Sequence, residues 1–211
     1  MKISILVDVP NSWLLLWVKI LESELIVKGN EVNFVREANF IEEGDVAFLL
    51  GCVKIVPDYV LARNNHNIIV HPSALPRGKG FSPLAWQVIE GKNEIPVSLF
   101  EAVPEVDAGD IYLQDTIYLN GDELNDEIKE KQGKVTVSLC LKFIDEIEHL
   151  KPRQQSGDET FYPRRTEKSS ELDPNKTIAE QFNLLRIVDN ERYPAFFILN
   201  GKKYLIKINK A

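Results

Sequence analysis

Cysteine is scarce in this 211-residue chain: Cys52 and Cys140 are the only two, with no CxxC or Cys/His spacing around either. Neither a disulfide framework nor a zinc site is expected, and both thiols read as buried. A long apolar run is also missing. The densest window, Trp13 to Ile20, is too short to span a bilayer, and the opening Met-Lys-Ile-Ser-Ile-Leu-Val is broken by Asp8 and Pro10 before it forms a secretory core. A cytoplasmic protein without a membrane partner is the expectation. Positive charge is in deficit, with 25 Lys and Arg against 32 Asp and Glu for a net charge of −7, and no basic run interleaves with aromatics. That argues against a nucleic-acid footprint and for small-molecule partners. The only basic spots near one another, Lys151-Pro-Arg153 and Arg164-Arg165, read as a solvated loop.

Apolar residues at 44% and charged residues at 27% are ordinary for a globular protein, so the chain is expected to fold. Its length holds one good-sized α/β domain and a short appendage.

Lys2 to Val7 is a β-branched run, and the apolar-rich stretch Trp13 to Val27 stops at Lys28-Gly29-Asn30; the pattern predicts strand, loop, helix and C-cap. Strands follow at Glu31 to Val35, Asp45 to Leu50 and Asn67 to His71, the second almost wholly apolar as a central parallel strand should be. Pro57 to Arg63 predicts a short helix and Ser82 to Glu90 a longer one ending at Gly91. Ile95 to Ala102 and Ile111 to Tyr118 are further strands, and Glu123 to Leu150 is a long helix with Val135, Leu139, Phe143, Ile147 and Leu150 as its buried stripe. A parallel order through residue 100 makes an open, Rossmann-like α/β sheet the expected architecture for residues 1–150. Residues 151–211 read as a polar linker followed by a small α+β module: a helix over Thr177 to Val188 and a hairpin turning on Asn200-Gly201.

His71 ends a predicted strand and opens His71-Pro-Ser-Ala-Leu-Pro-Arg-Gly-Lys-Gly80, whose prolines and glycines suit a wrapping loop. Ligands of open α/β sheets bind at the carboxyl ends of the strands, so this imidazole stands where a site would be; a satisfied polar group is the other reading. Asp107 lies in the turn-rich segment Pro104-Glu-Val-Asp-Ala-Gly-Asp110, where Asp and Gly are also common simply as turn residues. A histidine and an aspartate on loops at one sheet edge make an orienting pair, the carboxylate fixing the imidazole tautomer.

Val46-Ala-Phe-Leu-Leu-Gly-Cys-Val-Lys-Ile-Val-Pro57, His71-Pro-Ser-Ala-Leu-Pro76, Gly80-Phe-Ser-Pro-Leu-Ala-Trp-Gln-Val-Ile-Glu-Gly91 and Val106-Asp-Ala-Gly-Asp-Ile111 together resemble the formyltransferase family. Phe161-Tyr-Pro-Arg-Arg-Thr166, Leu172-Asp173 and Arg186 to Pro194 resemble the module that follows its catalytic domain. The resemblance implies an Asn-x-His strand end with a partner aspartate, which falls on Ile69, His71 and Asp107. The asparagine is missing. Asn67 shares a face with Ile69 and His71 but lies roughly 6 to 7 Å further along the strand, so it would replace the amide only through a bulge.

The resemblance further implies a formyl donor, 10-formyltetrahydrofolate, against Gly51, Cys52, Lys54 and Ile55 of the loop after the third strand and Val103, Pro104 and Val106 of the Asp107 loop. An acceptor amine would approach from Asn11, Ser12 and Trp13, where a helix N-terminus favours phosphate, with Lys79 and Ser82 as weaker candidates. Trp13 stacks on a sugar or base, or is a core or capping tryptophan. No metal is implied, and a homodimer is allowed. A nucleotide-linked amino sugar of the UDP- or dTDP-4-amino-4,6-dideoxy hexose type is the expected acceptor. The alternatives are a methionyl-tRNA formyltransferase-like enzyme and a non-catalytic folate or nucleotide-sugar binding protein that lost turnover with the asparagine.

Overall fold

A computed structural model describes residues 1–211. Its first half alternates β1 (Lys2–Leu6), α1 (Leu15–Val27), β2 (Glu31–Val35), β3 (Gly44–Leu49), α2 (Asp58–Leu61) and β4 (Asn64–His71). After the two-residue β5 (Lys79–Gly80) come α3 (Pro83–Ile89), β6 (Glu94–Glu101), β7 (Ile111–Tyr118) and α4 (Asn125–Glu146). Six of these strands form one sheet in the order β2-β1-β3-β4-β6-β7. Strands β1 and β3 are nearly continuous in apolar residues because both of their faces are covered. Ile3, Ile5, Val46 and Phe48 enter the main core beneath α1 and α4, while Leu6, Ala47 and Leu49 pack with Val60 of α2.

The parallel order stops earlier than the sequence pattern predicts. β1, β2, β3 and β4 are mutually parallel, but β6 runs antiparallel to β4, pairing Ser98 with His71. The connection explains this: a parallel return needs a crossover that carries the chain back along the strand. α3 has seven residues and rises only about 10 Å, whereas the eight residues of β4 span about 26 Å. The chain therefore re-enters the sheet at the end where β4 left it.

Helix α4 begins after a carboxylate-organised turn. Glu123 accepts the N–H groups of Asn120 at 2.8 Å and Gly121 at 3.1 Å and the Lys131 ammonium at 2.7 Å, and Glu127 accepts the Leu124 N–H at 2.8 Å. Burial alone would raise the Glu123 carboxyl; Lys131 and the turn amides more than offset it and hold it down at about 2. A carboxylate with a depressed folded-state pKa contributes stability above its unfolded value, here 4.5, that is lost as pH falls through the folded value. Glu123→Gln is accordingly expected to be less stable at pH 7 and to lose less stability than the parent between pH 4.5 and about 2, measured by urea unfolding across that window.

The tail adds β8 (Phe161–Tyr162), α5 (Phe182–Ile187), β9 (Ala195–Leu199) and β10 (Lys202–Ile206). The hairpin forms where Asn200-Gly201 predicts it, both residues taking positive φ (51° and 72°) as a primed two-residue turn requires. The helix expected over 177–188 is reduced to a 3₁₀ turn at Ala179–Gln181 and the six residues of α5. Gln181 leaves helical geometry (φ −113°, ψ 7°), and its side chain binds the Asp173 backbone at both N–H and carbonyl. Leu172, Leu185, Val188 and Ala195 form a small core of their own, while Ile187 joins the main one. β8 runs parallel to β5, so the linker lies against the loop that follows His71.

Candidate active site

Period-two alternation along β4 puts Ile69 and His71 on one face, where Ile69 packs with Leu75, Phe100 and Ile111 and the His71 ring meets Phe100 edge-on at 6.4 Å. His71 is 7% exposed. The loop behind it folds back so that Nε2 lies 2.8 Å from the Gly78 carbonyl oxygen. A carbonyl only accepts, so this contact places the proton on Nε2.

Asp107 reaches the same spot from the loop between β6 and β7. It adopts a left-handed backbone (φ 52°), and its Oδ2 accepts the Gly80 N–H at 2.8 Å and stands 3.9 Å from His71 Nε2. The expected pair is thus brought together, but the tautomer is set by Gly78 and not by a direct bond to Asp107. Neither His71 Nδ1 nor Asp107 Oδ1 makes a hydrogen bond within the protein.

Asn67 does not supply the missing amide. β4 runs without a bulge against β3, and Asn67 Nδ2 is committed to the Leu61 carbonyl at 2.9 Å, so the position beside His71 carries the apolar Ile69 alone.

His71 lines an open cleft of about 520 Å³. Trp13, Gly51, Cys52 and Ser82 line it as well; Asn11, Ser12, Lys54, Ile55, Val103, Pro104 and Val106 do not. Ser12 instead organises the start of α1, its Oγ accepting the Leu14 N–H at 3.3 Å, and the Asn11 carbonyl accepts from Arg192. Trp13 also packs on the main core, as the core reading of it expects. Lys79 is a correction: it is 3% exposed, and pairing of β5 with β8 turns its ammonium onto Glu159 at 2.5 Å and over the Phe161 ring, away from the cleft. Ile55 (75% exposed), Val53, Val103 and Val106 form apolar edges on two exposed loops.

Two features were not anticipated from the sequence. Asp8, at the end of β1, accepts the N–H groups of Val53 at 3.0 Å and Lys54 at 2.9 Å and so shapes the loop after β3. Burial, followed by the Asp8 charge, pushes the Cys52 thiol up to about 12, which leaves it unreactive. The arginine pair is only partly the expected solvated loop: Arg164 is exposed but lies over the Phe81 ring at 4.5 Å, and Arg165 is half-buried with its Nε unpartnered. With Arg192 and Lys129 they line the cleft, where Asp189 is the one facing carboxylate. The signal for this was Arg164-Arg165 within the linker, which the parallel pairing of β8 carries to the site.

Known proteins share this fold. A methionyl-tRNA formyltransferase of Mycoplasma capricolum is 26% identical over 197 residues, covering 90% of this chain and 61% of its own length. The chain thus spans about three-fifths of that relative. The structure of a sugar N-formyltransferase from a Shewanella species superposes with a TM-score of 0.75 at 13% identity, over 100% of this chain and 98% of the other. HypX from Aquifex aeolicus in complex with tetrahydrofolic acid gives 0.79 at 22% identity, over 99% of this chain and 37% of HypX. The model of the formyl transferase family matches residues 32–144, just over half of the 211, and includes both His71 and Asp107: the chain belongs to the formyl transferase family.

Proposed function

We propose that this protein transfers a formyl group from 10-formyltetrahydrofolate to the amine of a nucleotide-linked amino sugar of the UDP- or dTDP-4-amino-4,6-dideoxy hexose type. The observation that carries the reading is the His71–Asp107 pair, 3.9 Å apart at a strand end, with His71 lining a cleft whose charged residues are mostly cationic. In an acidic chain, Arg164, Arg165, Arg192 and Lys129 gathered around one small-molecule-sized cleft favour an acceptor that carries phosphate.

The chemistry follows from what these groups can do. When a neutral amine attacks the formyl carbon, negative charge grows on the formyl oxygen, and His71 Nε2–H is the side-chain donor that would meet it by leaving the Gly78 carbonyl. Asp107 Oδ1, free of protein contacts, would take the amine proton directly or through water while Gly80 N–H holds the other oxygen in place. Collapse of the tetrahedral adduct would then break the bond between the formyl carbon and the folate nitrogen, which leaves with that proton as tetrahydrofolate. The donor would lie on the exposed loops of Gly51 to Ile55 and Val103 to Val106, whose apolar edges suit a flat heteroaromatic ring. Trp13 and Ser82 would face the acceptor. Asn11 and Ser12 would act by shaping the turn before α1.

The test offers the purified protein 10-formyltetrahydrofolate with UDP- and dTDP-linked 4-amino-4,6-dideoxy hexoses and, separately, methionyl initiator tRNA, following tetrahydrofolate release. Turnover with a nucleotide sugar is expected. Turnover with the tRNA alone would favour the second reading, which the methionyl-tRNA formyltransferase relative supports. Binding of folate and sugar nucleotide with no turnover on either would make this a binding protein.

Ile69 bears on the same question. With the oxyanion held by His71 and backbone donors, Ile69→Asn is expected to change kcat by less than the roughly hundredfold typical of a single oxyanion donor. A larger rise would mean that the natural site is crippled.

A further inference from the structure

We propose that Gln155 is a positioning residue that holds Asp107 in its left-handed conformation against the His71 loop. Asp107 is a non-glycine residue at φ 52°, a conformation that persists only where the surroundings impose it. Its loop leaves β6 at Glu101 and closes through the Glu101 N–H on the Asp110 carbonyl at 3.0 Å. Gly109 lies so close to that strand end that a Cβ would stand 1.7 Å from the Glu101 carbonyl oxygen, which fixes one side of the loop.

The other side is held from the linker. Gln155 Nε2 donates to the Asp107 carbonyl at 2.9 Å and to the Gly109 carbonyl at 2.8 Å, spanning Ala108 with one amide group. Its Oε1 is buried and accepts from no protein donor, so Gln155 grips the loop through its N–H groups alone. The same linker reaches the His71 side, where Thr160 Oγ1 accepts the Gly78 N–H at 2.9 Å and the Thr160 carbonyl accepts the Lys79 N–H at 2.9 Å. One segment therefore sets both the carbonyl that His71 donates to and the backbone that aims Asp107.

The inference rests on the reading of His71 and Asp107 as the working pair, but its test does not. Gln155→Met and Gln155→Ser remove the two donors, and Asp107→Asn is the reference. Two signals are read by NMR at pH 7: the Gly80 amide proton, which is bonded to Asp107, and the His71 ring nitrogens, assigned by loss of signal in a His71→Gln variant. In both Gln155 variants these signals are expected to move in the direction seen for Asp107→Asn by at least half as much, with the rest of the spectrum and the unfolding midpoint close to the parent. Formyl transfer to a dTDP-linked 4-amino-4,6-dideoxy hexose should fall about ten- to a hundredfold in kcat with KM unchanged, as a small misplacement of a reacting group would produce. Unmoved Gly80 and His71 signals in the two variants would overturn the proposal, and so would global unfolding of both, which would make Gln155 a residue of stability. Moved signals without any loss of kcat would uphold the positioning and count against Asp107 as the working carboxylate.

Discussion

Asp107→Asn and His71→Asn are each expected to lower kcat for formyl transfer by about 10²- to 10⁴-fold, the range a positioned acid–base group supplies. The double variant should be little worse than either single one, because groups acting as a unit lose their joint effect once. The geometry makes the two changes informative in different ways. Asp107→Asn keeps the shape and can still accept the Gly80 N–H, so what it removes is the negative charge and the capacity of Oδ1 to take a proton. His71→Asn shortens the side chain and withdraws the Nε2–H that now lies on Gly78. Steady-state kinetics of the three variants decides the matter: fully additive losses would mean two independent contributions, and a loss under tenfold in both single variants would remove the pair from the mechanism.

Arg186→Met is expected to cost about 1.5–3 kcal/mol of folding stability, the range for losing hydrogen bonds to a charged group. Arg186 is 1% exposed and reaches from α5 to the segments around β6 and α4: Nη2 donates to Asn93 Oδ1 at 2.7 Å, Nε to Asn183 Oδ1 at 3.0 Å, and Nη1 is 3.6 Å from Glu123. Methionine fills much of the volume but leaves Asn93 Oδ1 and Asn183 Oδ1 without the guanidinium, while Glu123 keeps Lys131 and the turn amides. Urea unfolding provides the measurement; a cost below about 1 kcal/mol would show that the tail is held mainly by apolar packing.

The sequence showed the elements with clear local signatures. Glu31 to Val35 and Ile111 to Tyr118 coincide with β2 and β7, and Asn200-Gly201 turns the hairpin, because alternation and turn chemistry are properties of a few neighbouring residues. His71 and Asp107 were legible from their place at strand ends, and they do converge. The direction of β6 was not legible, since it depends on the length of α3 compared with β4, and apolar runs look alike in either orientation. Lys79 was misread for a related reason: its neighbours in sequence are loop residues, but its environment is set by Glu159 and Phe161, some eighty positions away. Asp8 and Gln155 went unnoticed because each acts through backbone groups of a distant loop, a contact with no spacing rule behind it.

The two-residue ladder between Lys79–Gly80 and Phe161–Tyr162 also sets a sequence of events during synthesis. A chain still on the ribosome exposes His71 and Asp107 long before Gln155, Thr160 and Tyr162 have emerged. The sheet from β1 to β7 can assemble in that interval, since domains fold as their segments become available. His71 and Asp107 would then be present but unaligned, and alignment would come from one of the later closures of the chain. Stalled nascent chains ending shortly before and shortly after the linker should therefore differ little in the protection of β1 to β4 and strongly in the protection of the Gly78 and Gly80 amides.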